Sequence, residues 1–288
     1  MIRSEVRPIS NTVEALQTYE RDGFAIIKGF YDVERDIRPI QEGIRTIIEL
    51  VAGRHGLEVA CSTPEEAMTK GQMQLIAADR RFGGEVYDAV KQIPALMALV
   101  SNARNMQVFK QLRPGAVPGI AGGGYGVRID YPGEEKFRSP WHQDYLSHFR
   151  SLDGIVYWSP LIPITPEMGP VILCPGSHAE GAVPVYKDDR GVGRSGAYAL
   201  IMDREQERLA KYDQVAPVSE PGDLILIDYL TLHASGANVS NHPRWSMQWR
   251  IFNFVDPTGI KIGWRGGLVV GTDFSQFLPE LLIDKPQG

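Results

Sequence analysis

His142, Asp144 and His233 are the residues whose types and spacing carry the clearest chemistry in this chain. A His-x-Asp pair plus one distant histidine is the donor set that holds one face of a ferrous ion and leaves the opposite face open for substrate and oxygen. In an extended strand, residues i and i+2 face the same side. The sequence therefore predicts His142 and Asp144 on one strand, aimed together into a cavity, with Gln143 offset between them. The stretch 221–228 reads as a turn followed by a buried strand that delivers His233 near its end. Taken alone, a His-x-Asp pair is common and seldom binds metal; the third donor and the arginine described next are what raise it above background. His55, His148, His178 and His242 read as surface or structural residues.

Arg244 follows His233 by eleven residues, beyond the turn-like 233–238. If the chain reverses there, Arg244 enters on the neighbouring antiparallel strand and points into the same cavity. A planar guanidinium matches a carboxylate with two parallel hydrogen bonds, so a small acid is the expected occupant. Ser246 shares the face at i+2 and can add a hydroxyl donor. Arg250 keeps the same parity and competes with Arg244 for this role, and the bland alternative is an arginine paired with a nearby acid. On the substrate side the candidates are Tyr125, Arg128 and Tyr145. An internal Arg128–Asp130 contact is an equally good reading of that arginine.

These side chains need a scaffold. The first third of the chain, 1–105, reads as mostly helical. Asn11 and Glu14 have capping-box spacing, and Phe24 to Ile27 is a short apolar run ended by Gly29, which suits a buried strand. Asp32 can cap a long helix with an apolar stripe through Ile37, Ile40, Ile44, Ile47, Ile48 and Val51, and Pro39 sits in its tolerant first turns. Further helices are expected from Pro64 to about Ala78 and from Glu85 to about Val100. After Asn105 the texture changes to short runs separated by Pro and Gly, at 107–113, 124–131, 154–163, 170–174, 223–228 and 245–255. That pattern suits an antiparallel sandwich or barrel, with the helices packed outside. The polar stretch 180–213 reads as an insertion of the kind that forms lids or binding loops. One domain over 1–288 is expected, with a β core at 106–256 and an extension at 257–288.

Composition narrows the partners. The net charge of −5 and the absence of a Lys/Arg block give no reason to expect nucleic acid or an anionic membrane. Cys61 and Cys174 stand far apart without a Cys-x-x-Cys, which argues against a disulfide framework or a cysteine-held metal. No apolar run approaches the ~18 residues needed to span a bilayer, and residues 1–17 show no apolar leader core. A cytoplasmic enzyme acting on a small molecule is the default expectation.

At these residues the chain resembles the phytanoyl-CoA dioxygenase family of Fe(II)/2-oxoglutarate oxygenases. Four segments carry the resemblance: Tyr19 to Phe30, the Trp-His-Gln-Asp of 141–144, the Gly-x-x-x-x-x-Pro-Gly-Ser-His of 169–178, and His233 to Asn238 followed by Arg244. It implies a mainly β fold, a double-stranded β-helix (jelly-roll, cupin-like) core wrapped by N-terminal helices. It also implies iron held by His142, Asp144 and His233, 2-oxoglutarate held at its far carboxylate by Arg244, O2 as co-substrate, and Gln143 and Trp158 lining the cosubstrate pocket. Ser177 and His178 would belong to a structural turn. The family often carries Asn where this chain has Met168, and the Gly122-Gly123-Gly124 run is a local peculiarity. Related halogenating enzymes replace the carboxylate ligand with Gly or Ala, so Asp144 points to hydroxylation or another oxidation. Two other readings remain: a cupin-like metal enzyme that does not use 2-oxoglutarate, and a non-catalytic jelly-roll binding protein. Arg244 is the feature that discriminates against both.

Overall fold

The computed structural model describes residues 12–146, 149–187, 200–265 and 274–285. Asn11, half of the expected capping box, and His148 lie outside the described residues, as does the middle of the 180–213 insertion.

Helices come first and strands follow. Helix α1 (Thr12–Asp22) buries Ala15 and Tyr19 and ends at Gly23, whose φ of +75° turns the chain into strand β1 (Phe24–Ile27). Asp32 caps the next element by accepting from the Arg35 amide at 2.8 Å. A π-helical turn (Val33–Ile37) then leads into α2 (Arg38–Arg54), which buries Ile40, Ile44, Ile48 and Val51 along one stripe. Helical turns continue through α3 (Pro64–Glu66), a second π-helical turn (Ala67–Gly71) and α4 (Gln72–Ala78). The single helix expected over 85–100 is instead two, α5 (Arg80–Val90) and α6 (Pro94–Val100). Pro94 biases the residue before it away from helical geometry, and Ile93 is extended.

The strand expected at 107–113 is also corrected. Those residues belong to α7 (Ala103–Leu112), capped by Asn102. Its buried residues are Asn105, Val108, Phe109 and Leu112, a 3.6-residue stripe that a short apolar window disguises as a strand.

The remaining expected runs are strands. They are β3 (Gly126–Asp130), β4 (Gly154–Pro160), β5 (Val171–Leu173), β8 (Leu224–Asp228) and β10 (Arg244–Asn253). Three short strands complete the set: β2 (Pro118–Ile120), and β6 (Val185–Lys187) with β7 (Leu200–Met202), which pair within the insertion ahead of α8 (Glu205–Leu209). The large sheet runs β1-β8-β4-β10, and β10 continues to β3 through Arg244–Gln248 and to β2 through Ile251–Asn253. A smaller sheet pairs β5 with β9 (His233–Ser235), and all of these strand pairings are antiparallel. The two sheets form the jelly-roll core, with helices on the outside.

The period-two alternation of strands decides what faces the cavity between the sheets. Trp245, Met247, Trp249 and Ile251 of β10 point to the helix layer. The Trp245 indole donates to the Met68 carbonyl at 2.7 Å, and Trp249 stacks on Tyr157, whose hydroxyl reaches the Asn105 carbonyl. Burying such a ring stabilises the fold by on the order of 2–3 kcal/mol. Arg244, Ser246, Gln248 and Arg250 occupy the opposite face. Because helices cover the back, β4 and β8 are buried along their whole length. Among the described residues, no helix is long and apolar enough to cross a membrane.

Candidate metal centre

His142 and His233 are brought together by backbone. Their amides and carbonyls exchange two hydrogen bonds, 3.0 and 3.1 Å, in an isolated antiparallel bridge, and the rings stand 4.2 Å apart centre to centre. The predicted strand through 141–144 does not form. Beyond His142 the chain turns into a 3-10 turn (Asp144–Leu146), and the Asp144 amide donates to the Tyr229 carbonyl at 2.9 Å. The carboxylate nonetheless returns to the site, with Oδ1 3.9 Å from His142 Nε2. One donor atom from each of His142, Asp144 and His233 lies within 4.8 Å of the others.

His233 also differs from expectation. It is not at the end of β8 but opens its own strand, β9, after a tight turn. Asp228 holds that turn: its Oδ1 accepts from the Leu230 amide at 2.9 Å, and its Oδ2 takes Arg113 at 2.6 Å and the Tyr19 hydroxyl at 2.9 Å. The Pro-Gly-Ser-His segment fixes the other side. Ser177 Oγ donates to the Cys174 carbonyl and accepts from the Leu232 amide, next to His233. His178 touches the Glu20 carbonyl, away from the site.

Each imidazole has its second nitrogen occupied. His142 Nδ1 lies 2.8 Å from the Pro140 carbonyl and His233 Nδ1 2.9 Å from the Thr231 carbonyl. A carbonyl only accepts, so both Nδ1 atoms carry the proton and both Nε2 atoms keep a lone pair for a metal. Burial, reinforced by the neighbouring His233, pushes the His142 pKa down to about 3, and burial also lowers that of His233. Both rings are therefore neutral, the ligating form, at physiological pH. Two imidazoles and one carboxylate suit a ferrous ion.

Arg244 does not lie on the strand next to β9, whose partner is β5; it opens β10 in the facing sheet. The guanidinium is 2% exposed and donates to Asp130 Oδ2 from Nη2 at 2.8 Å and from Nε at 3.3 Å. Its Nη1 is buried without a partner, and so is the hydroxyl of Ser246 two residues on. Two orphaned buried donors on one strand face fit a carboxylate that brings its own acceptors. Arg250 has a different employer. It donates to Asp144 from Nε at 3.1 Å and from Nη2 at 3.2 Å, so it grips the candidate metal ligand rather than the acid site.

A cavity of about 300 Å³ joins the three candidate metal donors to the two arginines. Trp158, Tyr125 and Arg128 line it together with the metal donors, Arg244 and Arg250. Arg128 is committed to Asp130, Ser139 and the Phe137 carbonyl. Gln143, Tyr145 and Ser246 are not among the residues that line the cavity; Ser246 is buried behind the Arg244 end of it. The Gln143 amide spans the Gly181 and Leu230 carbonyls and the Val183 amide, and the Tyr145 hydroxyl donates to the Val183 carbonyl. The Gln143 and Tyr145 side chains anchor the start of the insertion instead. Sequence reasoning missed the edge of the cavity formed by Tyr87 of α5 and Lys91 just beyond it, and it offered the pairing of the arginine with an acid only as an alternative, without naming Asp130.

A family profile described as phytanoyl-CoA dioxygenase (PhyH) matches residues 19–246. An ectoine dioxygenase of Sphingopyxis alaskensis is 23% identical over 242 residues, covering 78% of this chain and 71% of that protein. In fold, the chain is similar to EctD from S. alaskensis solved with 2-oxoglutarate and 5-hydroxyectoine, at TM-score 0.54 and 18% identity, covering 89% of this chain and 84% of that one. It is also similar to the epimerase SnoN solved with Fe3+, alpha ketoglutarate and nogalamycin RO, at TM-score 0.55 and 17% identity, covering 91% and 92%. The profile spans both histidines, the carboxylate and the arginine set out above, and on that ground the chain belongs to the phytanoyl-CoA dioxygenase (PhyH) family.

Proposed function

We propose that this protein is an Fe(II)/2-oxoglutarate-dependent dioxygenase that hydroxylates or otherwise oxidises a C–H bond of a small-molecule metabolite. His142, Asp144 and His233 hold the iron. Arg244 and Ser246 hold the distal carboxylate of 2-oxoglutarate. The observation that carries the reading is the coincidence, in one cavity, of a buried His-Asp-His cluster and a buried arginine with a free Nη1. A metal enzyme indifferent to keto acids has no use for that second feature.

Bound iron with 2-oxoglutarate and O2 supplies the oxidising power, and the keto acid leaves as succinate and CO2. The chain supplies geometry. His142 and His233 present Nε2 lone pairs in a fixed tautomer. Val156, Ile227 and Val171 give the cavity apolar walls that limit water, while Trp158 flanks it. Tyr125, Tyr87 and Lys91 line the same cavity and are the groups proposed to meet the substrate. Ectoine dioxygenase and SnoN, by their names, act on small molecules, which supports the same substrate class here.

The test is anaerobic addition of Fe(II) and then 2-oxoglutarate, followed by a metabolite screen for succinate release. A visible charge-transfer band that needs both additions, and succinate that rises with one class of metabolite, are expected. A band that forms with iron alone, or no change on adding the keto acid, would reject 2-oxoglutarate as cosubstrate.

A further inference from the structure

Arg250 is 7% exposed and Asp144 is fully buried. The guanidinium meets the carboxylate edge-on, with Nε and Nη2 donating to Oδ2 and Oδ1 at 3.1 and 3.2 Å. Two parallel hydrogen bonds fix a carboxylate plane in a way a point charge does not. This matters because Asp144 sits where the strand expected from sequence gives way to a 3-10 turn. Strand alternation therefore does not place this side chain beside His142, and the two hydrogen bonds from Arg250 hold it there.

Arg250 is itself held at both ends. Its carbonyl accepts from the Ala121 amide at 3.0 Å, and its Nη1 reaches the Gly124 carbonyl at 3.4 Å. Arg150 holds the same glycine run from the other side, donating to the Gly122 carbonyl at 2.7 Å. Gly123 and Gly124 form part of the cavity wall. The run of three glycines thus meets the metal centre through one arginine.

We propose that Arg250 is a positioning residue that orients the Asp144 carboxylate for the metal and ties the Gly122–Gly124 wall to it. The proposal rests on the metal-site reading given above, but not on 2-oxoglutarate turnover. Both prongs of the guanidinium are needed, so lysine is an incomplete substitute.

The experiment titrates Mn(II), followed by electron paramagnetic resonance, into metal-free parent, Arg250→Ala and Arg250→Lys proteins, with thermal unfolding of each in parallel. Loss of a group supporting a ligand typically weakens metal binding by about 10- to 100-fold. Arg250→Ala is expected in that range, and Arg250→Lys between it and the parent, at least about threefold weaker than the parent. Manganese binding by folded Arg250→Ala within about threefold of the parent overturns the proposal, as does a lowered melting temperature with unchanged affinity, which would mark a purely structural residue. If Arg250→Ala does not fold, Arg250→Lys decides, and parent-like binding there overturns it. A parent that binds Mn(II) but never consumes 2-oxoglutarate would remove the functional reading and leave this one standing.

Discussion

Arg244 and Asp130 are direct cross-strand partners in the β10–β3 register, and their side chains meet at 2.8 Å beside the cavity that Arg244 lines. The aspartate turns the arginine so that Nε and Nη2 are used and Nη1 is left over. A buried donor with no partner costs free energy until a ligand satisfies it. On the function proposed above, the pairing preorganises one prong of the fork for an incoming acid.

Arg244→Ala removes that prong and its charge. It should raise the 2-oxoglutarate concentration needed for half-maximal succinate release by about 30- to 100-fold, the scale of a lost charge-assisted hydrogen bond of roughly 2–3 kcal/mol. Mn(II) affinity should stay near the parent value. Unchanged dependence on the keto acid would move the acid site elsewhere.

Ser246→Ala separates binding from stability. The hydroxyl is buried and unpartnered, so its removal should leave thermal unfolding unchanged or slightly improved. The 2-oxoglutarate requirement should rise by about fivefold, the effect of one neutral hydrogen bond of roughly 1 kcal/mol. A drop in stability with no change in that requirement would show that the hydroxyl serves the fold.

His142→Ala, Asp144→Ala and His233→Ala should each eliminate detectable succinate release and weaken Mn(II) binding by more than about 100-fold, because each removes a donor outright rather than its support. Turnover at the parental rate in any of the three would exclude that residue from the metal site.

Asp130 gives an acid-limb prediction. Burial works against its ionisation, but the Arg244 and Arg128 guanidiniums prevail and lower its pKa from 3.8 to about 2. A depressed folded pKa means that this contribution is fully present above about pH 4 and is lost as pH falls through about 2. Asp130→Asn should destabilise the protein by on the order of 2 kcal/mol at neutral pH. It should also flatten the stability–pH curve between pH 4 and 2, which denaturant unfolding at several pH values would measure. A parental acid limb would contradict the assignment.

Gly169 tests the small sheet. Its φ is +67°, and a Cβ there would lie 2.4 Å from the Ala237 carbonyl oxygen, against backbone that cannot move aside. Gly169→Ala should cost about 2 kcal/mol or more through strain and overpacking. By loosening β5 against β9, it should weaken metal binding through His233. Parent-like unfolding would mean the turn relaxes without cost.

The sequence by itself picked out the candidate donors and the candidate acid-binding arginine, because such chemistry demands particular side chains whatever the backbone does. His142, Asp144, His233 and Arg244 were all legible as candidates, as were β1, β4 and β8 from their apolar runs and β10 from its alternation. The tertiary structure decided the rest. A short apolar window could not separate α7 from a strand, since both periods fit so few residues. The family resemblance implied that Gln143 lines the cosubstrate pocket, whereas the chain turns at Asp144 and the Gln143 amide goes to Gly181 and Leu230. Arg250 and Arg244 share a strand face, so only the folded distances could assign one to Asp144 and the other to Asp130. Contacts between residues over a hundred positions apart arise from sheet packing, which no local pattern encodes.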